Sequence, residues 1–301
     1  MISGWRARLA DSPLPAPFFS FTSNVDHHWA TVLPPELLYE CHGHMELWQC
    51  SSFACAEDLM GAGPDGAVDA GRWAAPPGYR VDVRAETRVA PADAPPAAAA
   101  THAVGSLQPH DAGAFARNHP ACIRCGGAAR PSVLFFDDDQ WVPNKDAQGR
   151  WAAFSGALLA AARGRAEEDA PPLRVALLEI GAGGRVTTVR RSAEGLLCEL
   201  ERSGGATPVL IRVNPDLPLA DRAAAKPYVL PILGKGLAAV RGIDAALRAA
   251  AGDAFLEPLE GLVLNSVYMG RPTGASDGVG RGVEECGAAA EGGGGVEESP
   301  P

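Results

Sequence analysis

A chain of 301 residues with 47% hydrophobic and 21% charged side chains can bury a substantial core and spans one large or two modest domains. Its formal net charge of −10 argues against a nucleic-acid or polybasic membrane surface, which needs clustered Lys and Arg, and weakly favours basic partners such as lysine-bearing tails. No apolar run approaches the ~18 residues of a bilayer span and Met1 to Pro17 holds no hydrophobic targeting core, so the expectation is an intracellular protein, cytoplasmic or nuclear, neither secreted nor membrane-bound.

In chain order, the dense aromatics of Pro17 to Phe21, with Pro13 and Pro15 before them, predict a short buried strand. It gives way to the mostly polar run Thr22-Ser23-Asn24-Val25-Asp26. A second short strand is predicted at Leu37 to Cys41, ending in His42-Gly43. From about Met60 to Asn118 the chain is rich in Ala, Pro, Gly and Asp with no sustained period, which predicts a loosely ordered insertion. Ser132 to Phe136 is an apolar strand candidate bounded by Pro131 and by Asp137, Asp138 and Asp139. Trp151, Phe154, Leu158 and Ala162 then recur at helical spacing, with Gly164 near the end.

The clearest unit runs from Leu173 to Asn214. Leu173 to Ile180 reads as a buried strand, Gly181-Ala182-Gly183-Gly184 as a glycine turn, and Val189, Ala193, Leu196, Leu197 and Leu200 as the apolar stripe of a helix. Gly204 and Gly205 stop that helix, and Pro208 to Val213 is a second buried strand. Strand, helix and strand in this order make a βαβ unit and a parallel sheet, hence an α/β fold. Leu237, Val240, Asp244 and Leu247 suggest a last helix with one polar lapse. Beyond about Gly270 the sequence is too poor in apolar side chains to order itself and reads as a disordered acidic, Gly-rich tail.

Several positions carry chemistry. The seven cysteines are an odd count in a chain too long to need disulfides, and four of them form two close pairs, Cys50-x4-Cys55 and Cys122-x2-Cys125. Tetrahedral Zn²⁺ takes four thiolates from two loops in this way, although the wide first spacing leaves open a three-cysteine site completed by His119 or His44. Cys41 and Cys198 look like core residues and Cys286 like a tail residue. The glycine turn can bring backbone amides close to a phosphate at a helix N-terminus, but Val186 stands where the dinucleotide fingerprint wants a small residue. Asn214-Pro215-Asp216 stands either at a ribose-contacting position or in an ordinary Asn-Pro turn. His42, after a strand and before a glycine, suits a general base, with His27, His28 and His44 as competitors.

Taken in order, these pieces resemble the sirtuin family of NAD-dependent protein-lysine deacylases. Thr22-Ser23-Asn24-Val25-Asp26 is similar to the family's Thr-Gln-Asn-Ile-Asp, and Glu40-Cys41-His42-Gly43 to its Glu-Leu-His-Gly. Cys122-Ile-Arg-Cys125-Gly-Gly, followed by Arg130-Pro131-Ser-Val-Leu-Phe-Phe136, resembles the second zinc pair and the segment after it. Leu178-Glu-Ile-Gly-Ala-Gly183, Thr188-Val-Arg-Arg191 and Ile211-Arg-Val-Asn214-Pro resemble a bacterial-type branch. The resemblance implies that Ser23, Asn24 and Asp26 line the nicotinamide pocket, with Asn24 and Asp26 contributing to catalysis beside the base His42. It further implies that Gly181, Gly183, Thr187 and Thr188 hold the adenosine ribose and phosphates and that Asn214 stands near the adenine-side ribose. Val133, Leu134, Phe135 and Phe136 would border the groove where an acyl-lysine peptide adds as a strand. The implied cofactors are NAD and one structural Zn²⁺, and the implied partners are acyl-lysine proteins or peptides.

Three departures stand beside the resemblance. The family's opening Gly-Ala-Gly-x-Ser loop and Pro-Asp-Phe-Arg segment do not precede Asn24, its Phe-Gly-Glu is Phe136-Asp137-Asp138, and the Ser or Thr after the first glycine of the later motif is Ala182. The implied fold is a partial doubly wound, Rossmann-like parallel sheet with a small zinc-binding module. Residues 1–45 are its incomplete first part, 46–130 the zinc module with the insertion at about 60–118, 131–268 the remainder and 269–301 the tail. Besides deacylation, the residues leave open a catalytically inactive zinc-bearing interaction module and an NAD-dependent ADP-ribosyltransferase.

Overall fold

The computed structural model of the chain describes residues 2–9, 12, 14, 16–52, 54–55, 71–76, 79–92, 95, 112–251 and 261–266. Largely apolar runs of three to eight residues become strands of a six-stranded parallel sheet, because a strand covered on both faces has no polar side to show. Its members are β1 (Phe18–Thr22), β2 (Leu38–Glu40), β6 (Leu173–Ile180), β7 (Ala206–Val213), β8 (Val229–Ile232) and β9 (Gly261–Ser266). They stand in the order β2-β1-β9-β6-β7-β8. A second, antiparallel sheet in the order β4-β3-β5 is built from β3 (Gly43–Cys50), β4 (Arg72–Ala74) and β5 (Ala129–Val133).

Helices cover both faces of the parallel sheet, and the alternation of side chains along each strand decides which face each residue meets. Phe19, Phe21, Val175 and Leu177 pack with Phe154, Leu158 and Ala162 of α2 (Lys145–Glu167) and with Val189, Leu197 and Leu200 of α3 (Thr188–Arg202). Phe18, Ala176, Leu178 and Val213 pack on the opposite side with Trp5 of α1 (Ile2–Arg8) and Val240 of α4 (Gly236–Ala251). The polar lapse at Asp244 has a partner there, since the Trp5 indole N–H donates to its carboxylate at 2.8 Å. Leu237, read as part of that helix's apolar stripe, is instead exposed.

The second sheet carries its own small core, in which Trp48, Trp73, Phe115 and Cys122 are buried. Tyr79 and Phe115 meet edge-on with ring centroids 4.9 Å apart, a favourable geometry for aromatic pairs. Part of the segment expected to be a loose insertion is therefore built in: β4 pairs with β3, and Asn118 ties residues 82 and 91 together through its amide. The rest of that insertion, and the tail 269–301, lie largely or wholly outside the described residues. Other boundaries moved by a few residues. β5 spans Ala129–Val133 rather than Ser132 to Phe136.

The largest departure from the sequence reading is β9. It fills the centre of the sheet, hydrogen-bonded to β1 on one side and to β6 on the other. The place beside β1, which the short stretch before Asn24 left without a strand, is thus taken by a strand from the far end of the chain.

Candidate functional site

Strand register sets the site. Thr22 pairs with Glu40 and with Ser266, and Ile180 pairs with Ser266 and with Val213. The carboxyl ends of β1, β2, β9, β6 and β7 therefore lie level, and the loops that begin at Ser23, Cys41, Gly181 and Asn214 all leave one edge of the sheet. This is the edge at which open α/β sheets bind ligands.

Backbone bonds hold the first two loops together. The Cys41 amide donates to the Thr22 carbonyl at 2.8 Å and the Met45 amide to the Val25 carbonyl at 2.9 Å, so Ser23, Asn24 and Asp26 are pinned alongside His42. Asn24's amide donates to the Thr22 hydroxyl oxygen, and one Asp26 carboxylate oxygen accepts from the His28 amide. His42 is half-buried, and that burial lowers its pKa from the ordinary value near 6.5, leaving the ring neutral, as a base requires. Its Nε2 lies 3.3 Å from the Thr188 Oγ1 at the start of α3, 146 residues away in the chain. Gly43 is required by geometry: its φ is +72°, and a Cβ there would run into the Ser132 carbonyl oxygen.

The glycine turn forms the other wall. Gly181 has φ +74° and donates its amide to Val213, while Gly183 has open space where a Cβ would point. Thr187 stands at the N-cap of α3 without a capping side-chain bond, so its hydroxyl does not engage the helix's first amides. Ala182 is buried, and its carbonyl accepts from the Asn214 amide at 2.8 Å. Asn214 itself is 3% exposed, and its Oδ1 accepts from the amides of Asp216 and Leu217. Its side chain is spent on bracing two turns. Of the two roles open at that position, the turn is the one its contacts display.

Beneath these loops lies a buried charge network that sequence reasoning missed. Arg212 makes a two-pronged bond to Glu179 at 2.6 and 2.9 Å and reaches Glu194 at 2.8 Å. Arg190 grips Asp221 with two bonds of 2.6 Å, which holds that carboxyl below the usual range, and also donates to the carbonyls of Ala182, Leu217 and Leu219. Buried charges persist only when paired and hydrogen-bonded in this way. The network fixes the loop from Asn214 to Arg222, which borders a cleft of about 410 Å³ walled by Leu217, Leu219, Pro231 and Leu233. The sequence signal was an Arg and a Glu in largely apolar strands, at positions 212 and 179.

The four cysteines of the second sheet come together. Cys50 and Cys125 sulfurs are 3.7 Å apart and those of Cys55 and Cys122 are 3.9 Å apart, with all four within 4.8 Å of one another. Four thiolates at Zn–S distances of about 2.3 Å sit about 3.8 Å from one another, so this cluster can bind a structural metal ion such as zinc. The amides of Ser52 and Arg124 point at the Cys50 and Cys122 sulfurs, and Gly126 takes φ +69° to turn the knuckle. The Gly127 amide holds Cys125 down to about 7, whereas burial and the neighbouring sulfurs push Cys55 up to about 12. The three-cysteine alternative is not formed: His119 bonds to the Ala90 carbonyl, and His44 stands with His27 and Glu40.

No family model, curated protein or solved structure matches the chain. The remaining expected residues lie as follows. Val133 ends β5 in register with Gly43, and the Leu134 amide donates to the His42 carbonyl at 2.9 Å, so this pair adjoins the His-Gly loop. Phe135 and Phe136 leave the strand and are 56% and 86% exposed. Cys41 is buried, as expected of a core residue, and Cys198 is partly so. Among the described residues, no helix is long and apolar enough to cross a membrane.

Proposed function

We propose that this chain is a sirtuin-type, NAD-dependent protein-lysine deacylase built on a Rossmann-like sheet with a structural zinc. The observation that carries the reading is the approach of His42 to Thr188, which joins the His-Gly loop to the glycine-turn helix at the ligand-binding edge. The order β2-β1-β9-β6-β7-β8 corresponds to the doubly wound order 3-2-1-4-5-6 with β9 in the first strand's place.

NAD, when bound, would supply an anomeric carbon open to attack by an acyl oxygen, with nicotinamide as the leaving group. This chain's residues do the rest. His42, neutral in its half-buried position, accepts the proton of a ribose hydroxyl, with the Thr188 hydroxyl beside its Nε2. Asn24 and Asp26 line the nicotinamide end from a loop that two backbone bonds hold in place. Gly183 leaves room for a phosphate at the start of α3, and the leucine-walled cleft by Leu217 takes the flat adenine. The exposed Phe135 and Phe136 stand where the acyl-lysine peptide would lie.

Incubation with NAD and an acetyl-lysine peptide is expected to release nicotinamide, and His42→Ala to lower the rate by about 10²–10⁴-fold, the usual worth of a general base. Activity should hold level through neutral pH and fall only as pH drops below the lowered pKa of His42. Equal turnover by the two proteins would remove the assignment. The engagement of Asn214 with Ala182 and with the amides of Asp216 and Leu217 favours a second reading, an inactive zinc-bearing interaction module. That reading predicts bound zinc without saturable NAD binding by calorimetry. ADP-ribosyl transfer uses the same site, and labelled NAD would reveal it by label retained on a protein target.

A further inference from the structure

Phe135 and Phe136 stand side by side in water at the turn that follows β5, and adjacent large apolar side chains left exposed mark a surface that a partner covers. The turn is braced from within. The Asp138 carboxylate accepts both arms of the Arg130 guanidinium, at 2.7 and 2.9 Å, and the amides of Phe135 and Gln140, at 3.4 and 3.2 Å. The same guanidinium lies over the Phe135 ring, 5.8 Å from its centroid. Arg130 and Asp138 are thus spent on each other. Asp137 and Asp139 are exposed on either side, and their carboxylates have no ion pair or hydrogen-bond partner among the described residues. One residue before the turn, the Leu134 amide donates to the His42 carbonyl at 2.9 Å, so the two aromatics and the two carboxylates stand just outside the His-Gly loop.

We propose that this turn selects, among acyl-lysine peptides, those with an arginine or an unmodified lysine beside the acylated residue. The stem of that side chain would lie on Phe136 and its cationic head would meet Asp137 or Asp139. Charge complementarity decides the occupant. An aromatic ring flanked by carboxylates suits a long side chain with an apolar stem and a cationic tip, which gains ring contact and a charge-assisted hydrogen bond together. A purely apolar residue would cover the rings but leave the carboxylates to lose water without a partner, and an acidic one would face like charge. The main-chain bonds of an added strand carry little sequence preference, so discrimination falls to side chains displayed in this way at the edge of the groove. The inference rests on the deacylase reading for the place of the acyl-lysine and extends it to the residues beside it.

The test uses the full chain and three fluorescein-labelled acetyl-lysine peptides, identical except for arginine, leucine or glutamate on both sides of the acetyl-lysine. Binding is read by fluorescence anisotropy, which needs no turnover. The arginine peptide is expected to bind about fivefold tighter or more than the other two, since each exposed charge pair is worth up to a few-fold, and the advantage should shrink at 1 M salt. Joint substitution Asp137→Asn and Asp139→Asn should bring the three peptides within about twofold of one another. Asparagine tolerates the left-handed backbone of position 137 as aspartate does, and an unchanged far-UV spectrum checks the fold. Phe136→Ala, at a position 86% exposed, should weaken the arginine peptide about threefold. Equal binding of the three peptides, tighter binding of the leucine peptide, a preference that survives in the folded double variant, or no binding of any peptide would each overturn the proposal. Nicotinamide release from NAD with the same peptides keeps the two readings apart. Turnover without discrimination would remove this inference and leave the deacylase, whereas discrimination in binding without turnover would remove the deacylase and leave a docking surface for basic segments.

Discussion

Asp137 and Gly43 both hold the left-handed backbone, at φ +55° and +72°, and they show how differently one conformation can be met. Asp137 replaces the glycine expected from the family resemblance, yet it keeps the turn, because Asp tolerates this region better than most residues and its exposed side chain meets no wall. Gly43 has the Ser132 carbonyl where a Cβ would stand. Asp137→Gly should therefore raise stability by about 0.5–1 kcal/mol, the left-handed cost of about 1–2 kcal/mol less the extra freedom of unfolded glycine. Gly43→Ala should lose about 3 kcal/mol or more from strain and overpacking together. Urea unfolding midpoints of the two variants check both; a destabilised Asp137→Gly would mean that the aspartate's side chain supports the turn. Residue types foretold the cluster of Cys50, Cys55, Cys122 and Cys125 because so few atoms can act as metal ligands. They did not foretell the Arg212–Glu179 pair, since nothing local in sequence tells a buried charge from a solvated one.

The elements that sequence reading missed are those whose local pattern conflicts with their role. β3 alternates for only part of its length, with Met45 and Glu46 exposed between buried residues, and its register with β5 shifts between Gly43 and Trp48. β4 is three residues long inside a Pro-, Gly- and Ala-rich stretch. The apolar run Ser132 to Phe136 overstated its strand, because pairing with β3 ends where Gly43 meets Val133 and Arg130 then reaches over Phe135 to bond Asp138. Small sheets of this kind rarely stand on apolar burial alone, so a metal ion held by the four cysteines would carry much of the second sheet's order. Cys122→Ser is expected to release the metal, counted as one zinc per chain lost by atomic absorption. With it the fluorescence of buried Trp48 and Trp73 should shift to the red, while the far-UV signal of α2 and α3 stays. A variant that keeps both zinc and the native emission would show that the sheet does not depend on the cluster.

At the scale of the whole chain, the βαβ unit from Leu173 to Val213 was legible because strand, turn, helix and strand are adjacent in sequence, and their periodicities follow one another. The centre of the sheet was not, since Phe18–Thr22 pairs with Gly261–Ser266 across some 240 residues and no local pattern reports a contact of that range. The position of β9 makes a clear prediction. A chain ending at Ser266 retains all six strands and should melt in a single cooperative transition near the temperature of the full chain. A chain ending at Glu260 loses every hydrogen bond that β1 and β6 make to β9, and with them the link between the two halves of the sheet. Exposed backbone on two facing edges and the opened apolar layers on both sides cost far more than the ~5–15 kcal/mol of a typical domain's stability. This shorter chain should therefore show no cooperative melt and should aggregate through its bare strand edges. Circular dichroism melts of the two truncations decide it, and matching transitions would place the sheet's stability elsewhere than in β9.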